Sequence, residues 1–278
     1  MSVGGAQVDK VQDTARWVAM ARARESERTD ALFNDPLARS LAGPVGAELA
    51  HRVRLDTWPV VARTYIIDRL VTGAIREGAD AIVNIAAGLD SRPYRMDLPP
   101  SLTWIEVDHA DIIADKEARL RGCAPVCHVE RIALDLSVAD GRREILAQVV
   151  SRFRRIAVMS EGLLCYLEPA DALRLSTDIR AMPGVFRYIA DLQNKAVNDL
   201  VARRTGFKGT AALKFGPEEG PLVFEPLGWK VVSATSILKM AGRLKRLPLL
   251  LSLFARLPDK PYGTPGRPWS GVCVWEPR

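Results

Sequence analysis

An α/β fold, a mostly parallel sheet with helices on both faces, is what three observations in this 278-residue sequence predict. Apolar, strand-like runs alternate with helical stretches from residue 81 to residue 193. The first run, Val83-Asn84-Ile85-Ala86, breaks into the small-residue turn Ala87-Gly88. A second run, Trp104-Ile105-Glu106-Val107, ends in Asp108, twenty residues beyond Gly88. In α/β sheets, ligands bind at the carboxyl ends of the strands, so this pairing of turn and carboxylate is where a nucleoside would sit.

Composition sets the outer limits. A chain of 278 residues buries one substantial core, and 1–278 is expected to be a single domain. Charged residues make up 26% and hydrophobic residues 48%, and no apolar run approaches the roughly 20 residues of a membrane span, so integral membrane association is not expected. Residues Met1 to Lys10 lack a basic-then-apolar leader, and four cysteines are too sparse for a disulfide framework. Both point to a reducing, cytoplasmic setting. A net charge of +6 raises the question of a nucleic-acid partner. The arginines are spread along the chain and seldom alternate with aromatics, which favours a solvated surface plus a few arginines meeting an anionic small molecule. Nothing in the sequence fixes the oligomeric state.

Residues 1–75 read as a helical cap. Trp17, Met20 and Ala21 share a face, and Asn34-Asp35-Pro36 is a stop and start with Pro36 suited to a first helical turn. Pro44 and Pro59 divide the rest of the cap into short pieces. Thr64 to Ile75 sets Tyr65, Ile66, Leu70 and Ala74 at helical spacing. In the core, 81–193, strands are expected at Ala81 to Ala86, Thr103 to Val107, Cys127 to Ala133, Ile156 to Ser160 and Phe186 to Asp191. Helices are expected at Ala110 to Arg121, Gly141 to Phe153 and Ala170 to Arg180. Residues 194–228 form an insert, expected to be a lid. Residues 229–278 resume with Trp229 to Ser236 and Gly271 to Trp275, whose long separation suits closure by an antiparallel strand.

The strand ends carry the candidate chemistry. Gly88 lacks a Cβ, so its backbone can approach a ligand, although many such turns bind nothing. Asp108 is in register to accept from ribose hydroxyls, while Asp111 and Asp115 are assigned with Lys116 to a solvated helix face. After the third strand, Asp135 and Leu136 can read an adenine edge, the first through its carboxylate and the second through its N–H; Asp135 or Ser137 could equally cap a helix. Glu161 ends the fourth strand and could hold an ammonium group, and Tyr166 offers a hydroxyl near the reaction zone; both could also be ordinary cap and core residues.

The run Asn84-Ile85-Ala86-Ala87-Gly88-Leu89-Asp90-Ser91-Arg92-Pro93-Tyr94-Arg95 resembles the glycine motif of the leucine carboxyl methyltransferase family, which includes bacterial polyketide O-methyltransferases. Ile105-Glu106-Val107-Asp108, Asp135-Leu136 and Glu161-Gly162-Leu163-Leu164-Cys165-Tyr166-Leu167 fall at the family's later motifs in order. So do Arg22-Ala23-Arg24-Glu25-Ser26, Asp35-Pro36, Arg63-Thr64-Tyr65 and the closing Cys273-Val274-Trp275. The resemblance implies a class I methyltransferase sheet, S-adenosylmethionine as cofactor and a role for each matching position. Gly88 would border the methionine part, Asp108 would hold the ribose, Asp135 and Leu136 would read adenine, and Glu161 would lie near the amino-acid moiety. Arg63 resembles the arginine that pairs with the cofactor carboxylate, with Arg22 beside it. Ala86 departs from the family, which commonly has glycine there.

The remaining features are weaker. Of His51, His109 and His128, none stands out as a base, and His109 follows Asp108 near the ribose position. Cys123, Cys127 and His128 lack a fourth ligand at zinc spacing, and no metal is expected. Phe207, Leu213, Phe215 and Phe224 in the insert would suit an apolar acceptor or would pack on the sheet. Leu238 to Leu257 interleaves Lys239, Arg243, Lys245, Arg246 and Arg256 with leucines; it reads as a helix pair packed on the body, or as an amphipathic basic segment able to lie on a membrane. The function expected is S-adenosylmethionine-dependent O-methylation of a carboxyl group on a small, polyketide-like molecule. Phenolic methylation, methylation of a protein carboxyl terminus and a non-catalytic cofactor-binding role are the alternatives.

Overall fold

The computed structural model describes residues 11–52, 56–136, 142–205, 209–258, 262, 264 and 266–278. Met1 to Lys10, the alternative cap Ser137 and Phe207 lie outside the described residues. Three helices lead: α1 (Val11–Ser26), α2 (Ala38–Arg52) and α3 (Trp58–Arg76). Pro36 sits in the turn that opens α2, where Ala38 N–H donates to the Asp35 carbonyl. Within α2, Gly43 leaves helical geometry just before Pro44, so the helix is two pieces, as the proline requires.

The sheet then forms from β1 (Ala81–Ile85), β2 (Thr103–Asp108), β3 (His128–Ala133), β4 (Ile156–Ser160) and β5 (Val185–Gln193). Between them lie α4 (Arg92–Arg95), α5 (Ala110–Arg119), α6 (Arg142–Val150) and α7 (Pro169–Ala181). After α8 (Lys195–Thr205) come β6 (Trp229–Ser236), α9 (Ile237–Arg243), α10 (Leu249–Phe254) and β7 (Ser270–Pro277). The strand order is β3-β2-β1-β4-β5-β7-β6. The first five strands are parallel, and β7 runs antiparallel between β5 and β6. The expected closing strand is therefore observed.

Strand alternation divides the core into two layers. Val83, Ile105, Val107 and Val158 face Leu146, Leu175 and Ile179 of α6 and α7. Ile82, Trp104, Ala157 and Met159 face Ile66, Ile67 and Val71 of α3, with Ile237 and Ala241 of α9. β1 and β4 are buried at every position, which is why they read as continuous apolar runs.

Two expectations change and one open alternative closes. Lys116 is not on a solvated face: it is buried on α5, and its Nζ donates to Glu106 Oε1 at 2.8 Å. Arg131 Nε donates to the other oxygen at 2.9 Å, so a carboxylate inside β2 is satisfied by two cations from neighbouring elements. Phe215 and Phe224 are buried in the core, and Phe224 packs near Trp275 and Tyr188 at ring-centroid distances of 5.2 and 6.3 Å. They pack on the sheet, one of the two readings given above, and Leu213 lines the cavity below together with Val197, Leu200 and Val201 of the same insert. Finally, the expected helix pair packs unequally: α9 buries Ile237 and Ala241, whereas α10 has no fully buried residue and only Leu251 and Ser252 half-buried.

Candidate functional site

The carboxyl ends of the parallel strands open into a cavity of about 1090 Å³, roofed by α1, α3 and α8. Its inner wall begins at the turn after β1. The residue where the family commonly has glycine, Ala86, takes a left-handed φ of 55°, and Gly88 a φ of 47°. That curl aims amides at the end of β2. Gly88 N–H donates to Asp108 Oδ2 at 2.6 Å, His109 N–H donates to Oδ1 at 2.8 Å, and Ala87 N–H reaches the Val107 carbonyl at 3.3 Å. Burial pushes the Asp108 carboxyl above its ordinary range, and the two amides oppose that push. Each carboxylate oxygen retains a lone pair beyond the one the turn uses.

A second cluster joins α3 to the ends of β4 and β5. Arg63 Nε donates to Glu161 Oε1 at 3.0 Å and Nη1 to Asp191 Oδ2 at 2.8 Å. Gly162 N–H donates to the other Asp191 oxygen at 2.7 Å, and at φ 67° a side chain there would sit 3.4 Å from Arg63. Arg92 contacts Glu161 Oε2 at 2.8 Å, Asp90 Oδ2 at 2.7 Å and Asp68 Oδ1 at 2.7 Å, so it ties the glycine turn to α3 and β4. Burial works to raise the Glu161 carboxyl, yet the Arg92 and Arg63 guanidiniums win and hold it below its ordinary range. Asp90 goes the same way, with Arg92 and Lys116 overcoming burial.

The sequence-derived candidates fall around this cavity. Gly88, Asp108, Leu136, Glu161, Arg63 and Arg22 all line it. Arg22 is engaged structurally, with Nε on Asp35 at 2.9 Å and Nη2 on the Leu89 carbonyl at 2.6 Å, so it clamps α1 onto the glycine turn. Asp135 is exposed outside the lining, 3.9 Å from the His109 ring. Tyr166 lines the opposite side; burial pushes its hydroxyl up while a hydrogen bond with Thr14 of α1 opposes it. The neighbouring Cys165 thiol is pushed up to about 12 by burial and by Asp191. Of the histidines only His109 lines the cavity, and among the described residues no group of side chains could hold a metal ion. The motifs do not single out Asp191. It closes the expected fifth run, Phe186 to Asp191, and lies two residues before the observed end of β5, so the strand-end rule applied to that run finds it.

The family model for leucine carboxyl methyltransferases matches residues 15–180. A candidate S-adenosyl-L-methionine-dependent methyltransferase of Frankia alni is 32% identical over 249 residues, covering 84% of this chain and 88% of that protein. Among solved structures, a DUF574-family protein from Streptomyces avermitilis superposes with a TM-score of 0.60 at 13% identity, over 95% of this chain and 97% of that one. A Synechocystis magnesium protoporphyrin IX methyltransferase with S-adenosylhomocysteine bound gives 0.50 at 12% identity, over 87% and 99% of the two chains. These define the class: an S-adenosylmethionine-dependent methyltransferase on a mostly parallel, seven-stranded class I sheet. The chain belongs to the leucine carboxyl methyltransferase family.

Proposed function

We propose that this enzyme esterifies a carboxyl group of a small, largely apolar acid, a polyketide-like or other secondary metabolite. The donor set around the cavity fits the cofactor. Asp108 suits the ribose hydroxyls, Ile112 and Leu136 supply apolar walls for adenine, and Asp135, exposed outside the lining beside His109, would have to turn inward to meet the exocyclic amine. The amino-acid end is a zwitterion, and Arg63 with Glu161 and Asp191 presents both signs of charge to it. Arg22 holds the turn that borders this end.

Bound there, S-adenosylmethionine supplies an electrophilic methyl on a sulfonium. An acceptor oxygen aligned with that methyl would form the new O–C bond as the S–C bond broke, which would give a methyl ester and the neutral thioether with no net proton transfer. The protein's task is to align the acceptor and strip its water, and Tyr166, which lines the cavity with its proton held on by burial, would face the acceptor.

One observation carries the choice of a carboxyl group: among the described residues lining the outer cavity, most carboxylates are already paired with a cation. Glu168 pairs with Lys214, Asp56 with Arg204, Asp171 with Arg174, and Asp191 and Glu161 with Arg63, while Glu218 accepts from the Asn194 amide at 3.3 Å and the His109 ring lies 3.9 Å from Asp135. A carboxylate acceptor is already ionised near neutral pH and needs no base, whereas a phenol would. Incubation with methyl-labelled S-adenosylmethionine and fractionated extracts, followed by mass analysis, tests this. A base-labile methyl ester on a small molecule is expected; a base-stable ether, or label confined to protein, would overturn it.

A further inference from the structure

We propose that α10 and its flanking cations dock on the surface of an anionic lipid bilayer, with the mouth of the cavity facing the lipid. This goes beyond the acceptor chemistry above and does not depend on it. Leu249, Leu250, Leu253, Phe254 and Leu257 are 82, 75, 57, 61 and 48% exposed. Within α10, Leu249 with Leu253 and Leu250 with Phe254 are four apart in two adjacent rows, which places them on one helical face, and Leu257 follows just beyond its end. A contiguous apolar patch of that kind marks an interaction surface, since an isolated face gains nothing from being bared to water.

Charge selects the partner. From Gly228 to Pro258 there are six lysines and arginines and no aspartate or glutamate. Arg243, Lys245 and Arg256 are exposed around the patch. Arg246 is instead spent on the body, donating to Glu25 at 2.8 Å and pairing with Asp30 at 3.1 Å, so the connection from α9 to α10 is anchored while the helix itself is not. A second copy apposed through this face would bring like charges together. Anionic headgroups would neutralise them while the leucines enter the acyl boundary, the arrangement of an interfacial helix. No helix among the described residues is long and apolar enough to cross a membrane, so contact here is with the surface.

The patch runs into the cavity, because Leu251, Phe254 and Leu257 also line it. An amphiphilic acceptor could therefore pass from the bilayer to the methyl-transfer site along apolar side chains.

The test is co-sedimentation of the full chain with vesicles of phosphatidylglycerol and phosphatidylcholine against vesicles of phosphatidylcholine alone. Binding is expected to the anionic vesicles, weakened about tenfold or more by raised salt, as screening requires. Leu250→Glu with Leu253→Glu should abolish it, and Arg243→Glu with Lys245→Glu should remove the preference for anionic lipid. None of these residues lines the cavity, so S-adenosylmethionine affinity by calorimetry should stay unchanged and report that the variants are folded. Failure to bind anionic vesicles would overturn the proposal, as would equal binding to neutral ones. So would a vesicle-independent dimer in sedimentation that the leucine variants dissolve.

Discussion

Gly88 and Asp108 share one hydrogen bond, 2.6 Å from amide nitrogen to carboxylate oxygen, across the ends of β1 and β2. The carboxylate that suits a ribose is thereby held by the turn that suits the methionine end. In the proposed cofactor pose, that single contact would couple the binding geometry at two parts of one ligand.

Asp108→Ala should weaken S-adenosylmethionine binding by roughly 10- to 100-fold, the loss expected for about 1.5–3 kcal/mol of charged hydrogen bonding. Asp108→Asn should fall between, since its amide keeps one acceptor oxygen where two now serve. Calorimetric titration reads both, and an unchanged affinity would remove Asp108 from the ribose.

Removing Arg63 leaves Glu161 and Asp191 facing each other without their shared cation. Arg63→Ala should therefore lower stability in urea by about 3–5 kcal/mol. Arg63→Lys should recover only part of this, because a point charge cannot reproduce a fork that meets two carboxylates. A variant as stable as the wild type would show that the cluster contributes nothing.

Ala86 sits at φ 55°, a conformation that costs a residue bearing a Cβ about 1–2 kcal/mol. Ala86→Gly relieves it, less the extra chain entropy glycine loses on folding. A net gain of about 0.5–1 kcal/mol should appear as a higher urea midpoint with an unaltered slope, and a lower midpoint would deny the strain.

Glu161 has a folded pKa below its unfolded one, so its pairing stabilises the fold fully above the ordinary glutamate value of about 4.3 and is lost as pH falls through the depressed value. The stability difference between wild type and Glu161→Gln should be flat from about pH 5 to pH 8 and should close below about pH 4. A difference that grew on acidification would reverse the sign assigned here.

Much of this arrangement was legible in the sequence because parallel strands buried on both faces leave apolar runs that few other structures produce. The run Ile156 to Ser160 and the observed β4 coincide, and Trp229 to Ser236 and β6 do too. Strand-end reasoning brought Gly88, Asp108, Leu136 and Glu161 to one cavity. What escaped was pairing across the sequence. Lys116 looks like any helix-surface lysine until Glu106, inside a strand, is seen to need a cation. Phe215 and Phe224 could line a pocket or pack on the sheet, because periodicity is uninformative between α8 and β6, and only the fold brings Phe224 to Trp275 and Phe215 to Phe224. Asp35, which takes Arg22 and Ser91 together, belongs to the same class: its partners lie 13 and 56 residues away.

The placement of β7 has a bearing on how the chain is made. β6 touches the rest of the sheet only through β7, and 33 residues separate the end of β6 from the start of β7. On the ribosome the parallel strands β1 to β5 can assemble in order, while β6 emerges with no neighbour to pair with and must wait. Until β7 threads between them, two unpaired strand edges, those of β5 and β6, are bare to other nascent chains.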